Sequence, residues 1–343
     1  MVELHTSRFA YGRSPAPGGY RRREDFYRLA PAQASSGLRR ALKLAEHVPD
    51  MLLYRRAAAA ADVVHFQWLP VQPLDRRLLP SRRRAGGRQP LVLTAHDVLP
   101  REPRAGQLAG QRRLYEAVDA VVVHSEHGRR RLTAELGVAP ERVHVIRHGP
   151  LTPWVGQPPA PLPAELRDVE GPVVLFVGLL RPYKGIDLLL EAWREVQGAE
   201  LWIAGLPRMD LAPLCAATPE RVRWLTRFVS DGELHALMAR ASLAVLPYRE
   251  IDQSGVAFTA LGAGLPLLLS DVGGFPELSA TGAARTFAAG DPGALAAAIN
   301  ELLASPSQLA AMASAAGRVG EGEYSWEEIA RRTLELYRGL LRG

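Results

Sequence analysis

Short apolar runs separated by stretches of mixed polarity recur along the chain. In the first half they are Val2-Glu-Leu-His5, Asp62-Val-Val-His-Phe66, Leu91-Val-Leu-Thr94, Ala120-Val-Val-Val-His124 and Val143-His-Val-Ile146. Bounded by turns and separated by amphipathic segments, these read as buried strands of a parallel sheet. Arg112–Val118 and Glu126–Leu136 between them predict helices, the second with Ser125 as its N-cap. The proline-rich string from Pro153 to Pro163 can be neither a helix nor a central strand, so it predicts a connection between domains. The pattern then restarts. Strands are predicted at Pro172–Val177, Glu200–Ala204, Val222–Leu225, Leu243–Leu246 and Pro266–Ser270, with helices at Ile186–Val196, Asp231–Ala241, Ala257–Ala263 and Pro292–Leu303. Strand–helix alternation in two successive halves predicts an α/β molecule of two doubly wound domains facing a cleft. The last segment, Ser325 to Leu341, predicts an amphipathic helix with Trp326, Ile329, Leu334, Tyr337 and Leu341 on one face and a capping-box spacing from Ser325 to Glu328.

Composition agrees with this division. The chain has 343 residues, 47% of them hydrophobic, enough for two cores. No run approaches the roughly 20 apolar residues of a membrane span. The opening Met1-Val-Glu-Leu-His5 lacks the basic start and long apolar core of a signal peptide, and Cys215 is the sole cysteine. A cytoplasmic location is therefore expected. The net charge of +6 is carried almost entirely by arginine, Lys43 and Lys184 being the only lysines. Basic triplets at 21–23, 82–84 and 129–131 read first as solvated faces, with transient contact to an anionic membrane surface as the sharper alternative. No interleaved aromatic set accompanies them, so nucleic acid is not expected as a partner.

Candidate chemistry lies at three strand ends of the second half. After Val173–Val177 come Gly178, which permits close backbone approach, and the cations Arg181 and Lys184. Two cations there can neutralise a diphosphate and stabilise it as a leaving group. After Leu243–Leu246 come Glu250-Ile-Asp252-Gln-Ser254-Gly255, where a helix start exposes backbone N–H groups to an anion. A third glycine turn, Asp271-Val-Gly-Gly-Phe-Pro-Glu277, follows the next strand. In the first half, His96 and Asp97 close the strand Leu91–Thr94, and Trp68 is placed to stack on a sugar or to pack between domains.

The run Phe176-Val-Gly-Leu-Leu-Arg-Pro-Tyr-Lys-Gly185 with its following helix, the string from Gln253 to Pro266, and Asp271–Glu277 resemble glycosyltransferase family 4, of the GT-B fold. Asp62–His65, Thr94–Asp97, Val121–Ser125 and Val145–Gly149 are similar to its first domain more loosely. The resemblance implies retaining transfer of a sugar from a nucleotide-diphosphate donor to a glycan, lipid-linked or small-molecule acceptor, with no metal and no other cofactor. It implies an acceptor domain over 1–155 that regains 326–343 through a returning helix, and a donor domain over 164–325. Arg181, Lys184 and His96 would be catalytic. Gly178, Phe228, Val229, Glu250, Asp252, Ser254, Gly255, Val256 and Thr259 would line the donor site, and His65, Gln67, Trp68 and Asp97 the acceptor site.

Several positions depart from the family pattern. Its two donor-motif glutamates fall at Ile251 and Thr259, and the second of its His-x-His pair falls at Gln67. The glycine-rich loop at Tyr11–Gly19 is irregular. Two rivals stay in view, the second suggested by Thr259 and Gln67. One is a sugar-nucleotide epimerase on the same fold. The other is a non-catalytic protein that binds a sugar nucleotide or glycan.

Overall fold

The computed structural model describes residues 1–7, 18–29, 36–80, 83–84, 87–99, 106–152, 154 and 158–342. Most of the Tyr11–Gly19 loop, Arg82 and part of the proline-rich connection lie outside the described residues.

The second half forms a six-stranded parallel sheet whose strands lie side by side as Val222–Leu225, Glu200–Ala204, Val173–Val177, Leu243–Leu246, Leu267–Ser270 and Ala284–Phe287. In chain order this is 3-2-1-4-5-6, the doubly wound dinucleotide-binding arrangement. Its central strands are runs of Val, Leu, Ile and Phe with nearly every residue buried, because helices cover both faces. Trp193 and Trp202 are fully buried within this core.

The first half contributes a four-stranded parallel sheet in the order Val64–Phe66, Leu91–Thr94, Ala120–Val123 and Val143–Val145. Val2–Ser7 pairs in parallel with Tyr20–Phe26 as a separate two-stranded sheet. The chain thus builds two Rossmann-like α/β domains. Trp154 already packs in the second-domain core, stacked on His235 at 4.8 Å, so the connection is anchored to that domain early in its course.

The closing helix Trp326–Arg342 returns to the first domain, where Ile329, Leu336, Tyr337 and Leu340 pack against Val92, Ala120, Val122 and Ile146. Its partly buried stripe therefore differs from the sequence expectation: Trp326, Leu334 and Leu341 are exposed, whereas Leu336 and Leu340 turn inward. Leu336, Tyr337 and Leu340 lie seven, eight and eleven positions after Ile329, spacings that return to one helix face.

Several elements among the described residues had no apolar run to announce them. Tyr20–Phe26 carries five charged residues among its seven, and the triplet 21–23 lies in this strand with Arg23 paired to Glu3. Ala284–Phe287 is short, with Arg285 and Thr286 inside it. Ser36–Ala58 contains Pro49, and Pro306–Arg318 is mostly alanine and polar residues.

Candidate active site at the strand ends facing the cleft

Strand order reverses between Val173–Val177 and Leu243–Leu246, and ligands of open parallel sheets bind outside the carboxyl ends at such a point. Glycines bring these ends together. A Cβ on Gly185, whose φ is +67°, would lie 2.0 Å from the Pro247 carbonyl oxygen. A Cβ on Gly205, at φ +145°, would lie 1.8 Å from the Gly178 carbonyl oxygen. Only glycine fits such contacts with a left-handed backbone. The turn Pro182–Lys184 is clamped by Arg249, which donates to the Pro182 carbonyl at 3.0 Å and pairs with Asp187 at 2.6 Å. That hydrogen-bonded pair holds the Asp187 carboxyl below its ordinary range.

Lys184 is buried to 6% exposure, with its ammonium 4.9 Å from the centre of the Tyr248 ring. A Cβ on Gly178 would stand 2.8 Å from Nζ and 3.1 Å from Val256 Cγ2. The ammonium therefore sits over the Gly178 backbone, beside the start of the Gly255–Gly262 helix. Arg181 is exposed on the same turn.

The other second-domain positions divide. Ser254 caps the Gly255–Gly262 helix through its hydroxyl, which accepts from the Ala257 N–H. Gly255 is exposed at the helix start. Thr259 donates to the Gly255 carbonyl at 2.8 Å and is buried, so its hydroxyl is engaged within its own helix. Phe228 is half exposed, while Val229 packs against the core. Gln253, which sequence reasoning did not single out, has its Oε1 buried without a hydrogen-bond partner.

At the facing edge of the first domain, side chains from successive strand ends form an aromatic row. Trp68, 62% exposed, stacks on His96 at 5.0 Å; His96 lies 5.0 Å from His124, His124 5.4 Å from His148, and His148 4.8 Å from Phe258 of the second domain. His96 Nε2 meets the Gln67 side chain at 2.9 Å, and Asp97 beside it is exposed. Burial pushes His96 down to about 4, with help from His148, and pushes His124 down to about 3 against the opposing Ile146 hydrogen bond. His65 is placed differently. Both its ring nitrogens are engaged, by Tyr337 at 2.6 Å and Thr94 at 2.7 Å, so it ties the closing helix to the sheet instead of facing an acceptor. His124 and His148 were the residues missed, although Val-His124-Ser and Arg-His148-Gly end their runs as Ala-His96-Asp does.

The description Glycosyltransferase Family 4 matches residues 6–149, and Glycosyl transferases group 1 matches residues 171–305. An alpha-maltose-1-phosphate synthase of Mycolicibacterium smegmatis is 31% identical over 283 residues, which is 73% of this chain and 73% of the relative. The chain belongs to glycosyltransferase family 4. A second relative, D-inositol 3-phosphate glycosyltransferase 1 of Catenulispora acidiphila, is 29% identical over 335 residues, 88% of this chain and 77% of its own length. Two solved structures share the GT-B fold. Sucrose-phosphate synthase of Thermosynechococcus elongatus superposes with a TM-score of 0.71 at 20% identity, over 99% of this chain and 89% of that one. HepE of Anabaena, solved in complex with UDP-glucose, gives 0.71 at 18% identity over 99% and 100%.

In this glycosyltransferase the cleft is bridged by charge. Asp252 was expected at the donor, but its Oδ2 accepts from the Val98 N–H at 2.9 Å and its Oδ1 from Arg131 at 2.7 Å. Both partners belong to the first domain, so the carboxylate joins the domains. Glu250, half exposed, lies 3.8 Å from the same Arg131. Glu277 accepts from the Glu126 and His127 N–H groups at 3.0 and 2.8 Å and from Arg147. It thereby supplies an anion to the N-terminus of the Glu126–Leu136 helix across the cleft. Burial pushes the Glu277 carboxyl up, but Arg147 and the two backbone donors outweigh this and leave it below its usual range. His124, Arg147, Gln253, Ser254, Phe258 and Tyr324 line the narrow space between these bridges. Among the described residues, no helix is long and apolar enough to cross a membrane, and no group of three or more His, Cys, Asp or Glu is placed to hold a metal.

Proposed function

We propose that this protein is a retaining, metal-independent glycosyltransferase taking its sugar from a nucleotide-diphosphate donor. The acceptor would be a glycan, a lipid-linked sugar or a small molecule bound at the first domain. The observation that carries the reading is the ammonium of Lys184, buried over Gly178 at the switch point with Arg181 on the same turn. Charge developing on a departing diphosphate would meet a compact cation in a site with little water, where electrostatic stabilisation is strongest. The acceptor oxygen would attack the anomeric carbon as its bond to the β-phosphate oxygen breaks. The leaving phosphate would take the acceptor's proton, so no strong protein base is required. Val256 and the exposed start of its helix would lie along the diphosphate, with Phe228 and Val229 toward the base. Binding of UDP-glucose by HepE makes a uridine diphosphate sugar the first donor to try.

The test is donor-dependent transfer by wild type, Lys184→Ala and Arg181→Ala, with and without EDTA. Both variants should keep the wild-type fold by circular dichroism and lose turnover, and EDTA should change nothing. Wild-type-like turnover in either variant would overturn the reading. Nucleoside diphosphates and their sugars should raise the melting temperature of the wild type, because a ligand of the folded state stabilises it.

One observation favours a second reading. The Thr259 hydroxyl bonds to Gly255 and no carboxylate stands at that position to take a ribose, as suits a protein that binds a sugar nucleotide without transferring it. Such a protein would show donor stabilisation with neither transfer nor slow donor hydrolysis.

A further inference from the structure

The histidine row has a direction, and the direction starts from a backbone carbonyl. His124 Nδ1 lies 2.8 Å from the Ile146 oxygen, which can only accept, so Nδ1 carries the proton. The other nitrogen of a neutral His124 is then an acceptor. It stands 3.3 Å from His96 Nδ1, which must donate. A neutral His96 protonated at Nδ1 presents a bare lone pair at Nε2, and the end of the Gln67 amide assigned as Oε1 stands 2.9 Å from that atom, which would set two acceptors face to face. A lone pair needs a donor. The two ends of a glutamine amide are distinguished only by their hydrogen bonds, so the NH₂ group of Gln67 belongs toward His96. Its carbonyl oxygen is then left for the solvent-exposed side, beside the exposed face of Trp68.

We propose that His124 is a positioning residue for acceptor recognition: it fixes His96 as the Nδ1–H tautomer and so turns the Gln67 carbonyl oxygen outward to accept a sugar hydroxyl. This rests on the reading of the first domain as the acceptor site and adds the class of group recognised there. The exposed Trp68 ring supplies an apolar platform for a sugar face, and the outward oxygen selects a hydroxyl donor over a carboxylate or phosphate. Burial, with His148 adding to it at His96, holds both rings neutral at ordinary pH, the condition under which the chain of donors runs one way. The departure of Gln67 from the family's histidine thereby gains a use. An amide accepts at one end while donating at the other, and so transmits the tautomer where a second neutral imidazole would add another proton to place.

The experiment is long-range proton–nitrogen NMR on the whole chain labelled with ¹⁵N-histidine, at pH 7.5, paired with acceptor kinetics. Wild-type His96 and His124 should both be protonated at Nδ1. In His124→Phe the His96 proton should move to Nε2, and the acceptor KM should rise about fivefold, the factor one neutral hydrogen bond carries, with donor KM unchanged. His124→Gln, which can donate to Ile146 and accept from His96, should keep the wild-type tautomer and KM. A wild-type His96 protonated at Nε2, or a tautomer unchanged in His124→Phe, would overturn the proposal. If His124→Phe does not fold, the wild-type spectrum decides alone. The spectra need no turnover, so a failed relay is separable from a failed transferase reading. The latter is a wild type with the expected tautomers that glycosylates no acceptor.

Discussion

An arginine at position 184 would carry the same charge as the lysine, yet the space there is shaped for an ammonium. Nζ lies where a Gly178 Cβ would be only 2.8 Å away, in a side chain just 6% exposed. A planar guanidinium is wider and places its charge differently. Lys184→Arg should therefore lose turnover by at least about 100-fold, the scale of removing one aligned electrostatic contact. Steady-state assay beside a thermal melt checks this, and recovery of more than a tenth of wild-type activity would count against it. Gly185 is the second residue whose identity is compelled. Gly185→Ala sets a Cβ against the Pro247 carbonyl at φ +67° and should destabilise the protein by about 3 kcal/mol, read by urea unfolding. Both residues were conspicuous in the sequence, Lys184 as a rare lysine and Gly185 at a strand–turn–helix junction. The departure at Thr259 was equally visible, but its internal bond to Gly255 was not, because a hydroxyl's partner depends on the helix around it.

Among the elements, the Glu126–Leu136 helix shows how local and distant signals combine. Ser125 caps it by accepting from the Gly128 N–H, as the sequence implies, while the Glu126 and His127 N–H groups go to Glu277 of the other domain. Glu277→Gln removes the anion from this helix start and from Arg147 and should cost about 2 kcal/mol. Urea unfolding of Glu277→Gln, Arg147→Met and the double variant should give a cost well short of the sum, since both singles break one contact. Additive costs would show that the two residues act separately. The closing helix teaches a different point. The Glu328 N–H reaches Ser325 as the spacing predicts, but the Glu328 carboxylate turns to Arg331 and Arg332, and the full capping box forms instead at Ser230 and Glu233. A spacing fixes which groups can meet, and competing arginines decide which do.

At the scale of the whole molecule, the two domains meet through partly buried charge and through a row of neutral histidines. His65 and His96 are pushed down to about 4 and His124 to about 3, against an ordinary value near 6.5, chiefly by burial. The unfolded chain then takes up protons first as pH falls, so stability is held above 6.5 and declines from there toward 4. Between 6.5 and about 5.5 the carboxylates contribute little to this slope. The melting temperature should be level from pH 8 to 7 and fall steadily through that window; a level profile down to about 5.5 would contradict the neutral row. The charged bridges make a separate prediction. Asp252→Asn combined with Glu277→Gln removes the carboxylates that hold Val98, Arg131, Arg147 and the Glu126–Leu136 helix. It should enlarge the radius of gyration in X-ray scattering without loss of helical signal.

By itself the sequence determined the two α/β domains, most strands of both sheets, the glycine turn at Gly178–Gly185 and its pair of cations. These are recorded in the order and period of neighbouring residues, and a parallel sheet buried on both faces writes each strand as an apolar run. Tyr20–Phe26 stayed hidden because its charges are met across the strand pair, Arg23 by Glu3 and Asp25 by His5. Tertiary structure alone decided that Asp252 bridges the domains, that His65 serves the closing helix and that His124 and His148 join His96. Val98 and Asp252 are 154 positions apart, and His124 and His96 are 28 apart. No local pattern can register a contact made only when two strand ends, or two domains, close on each other.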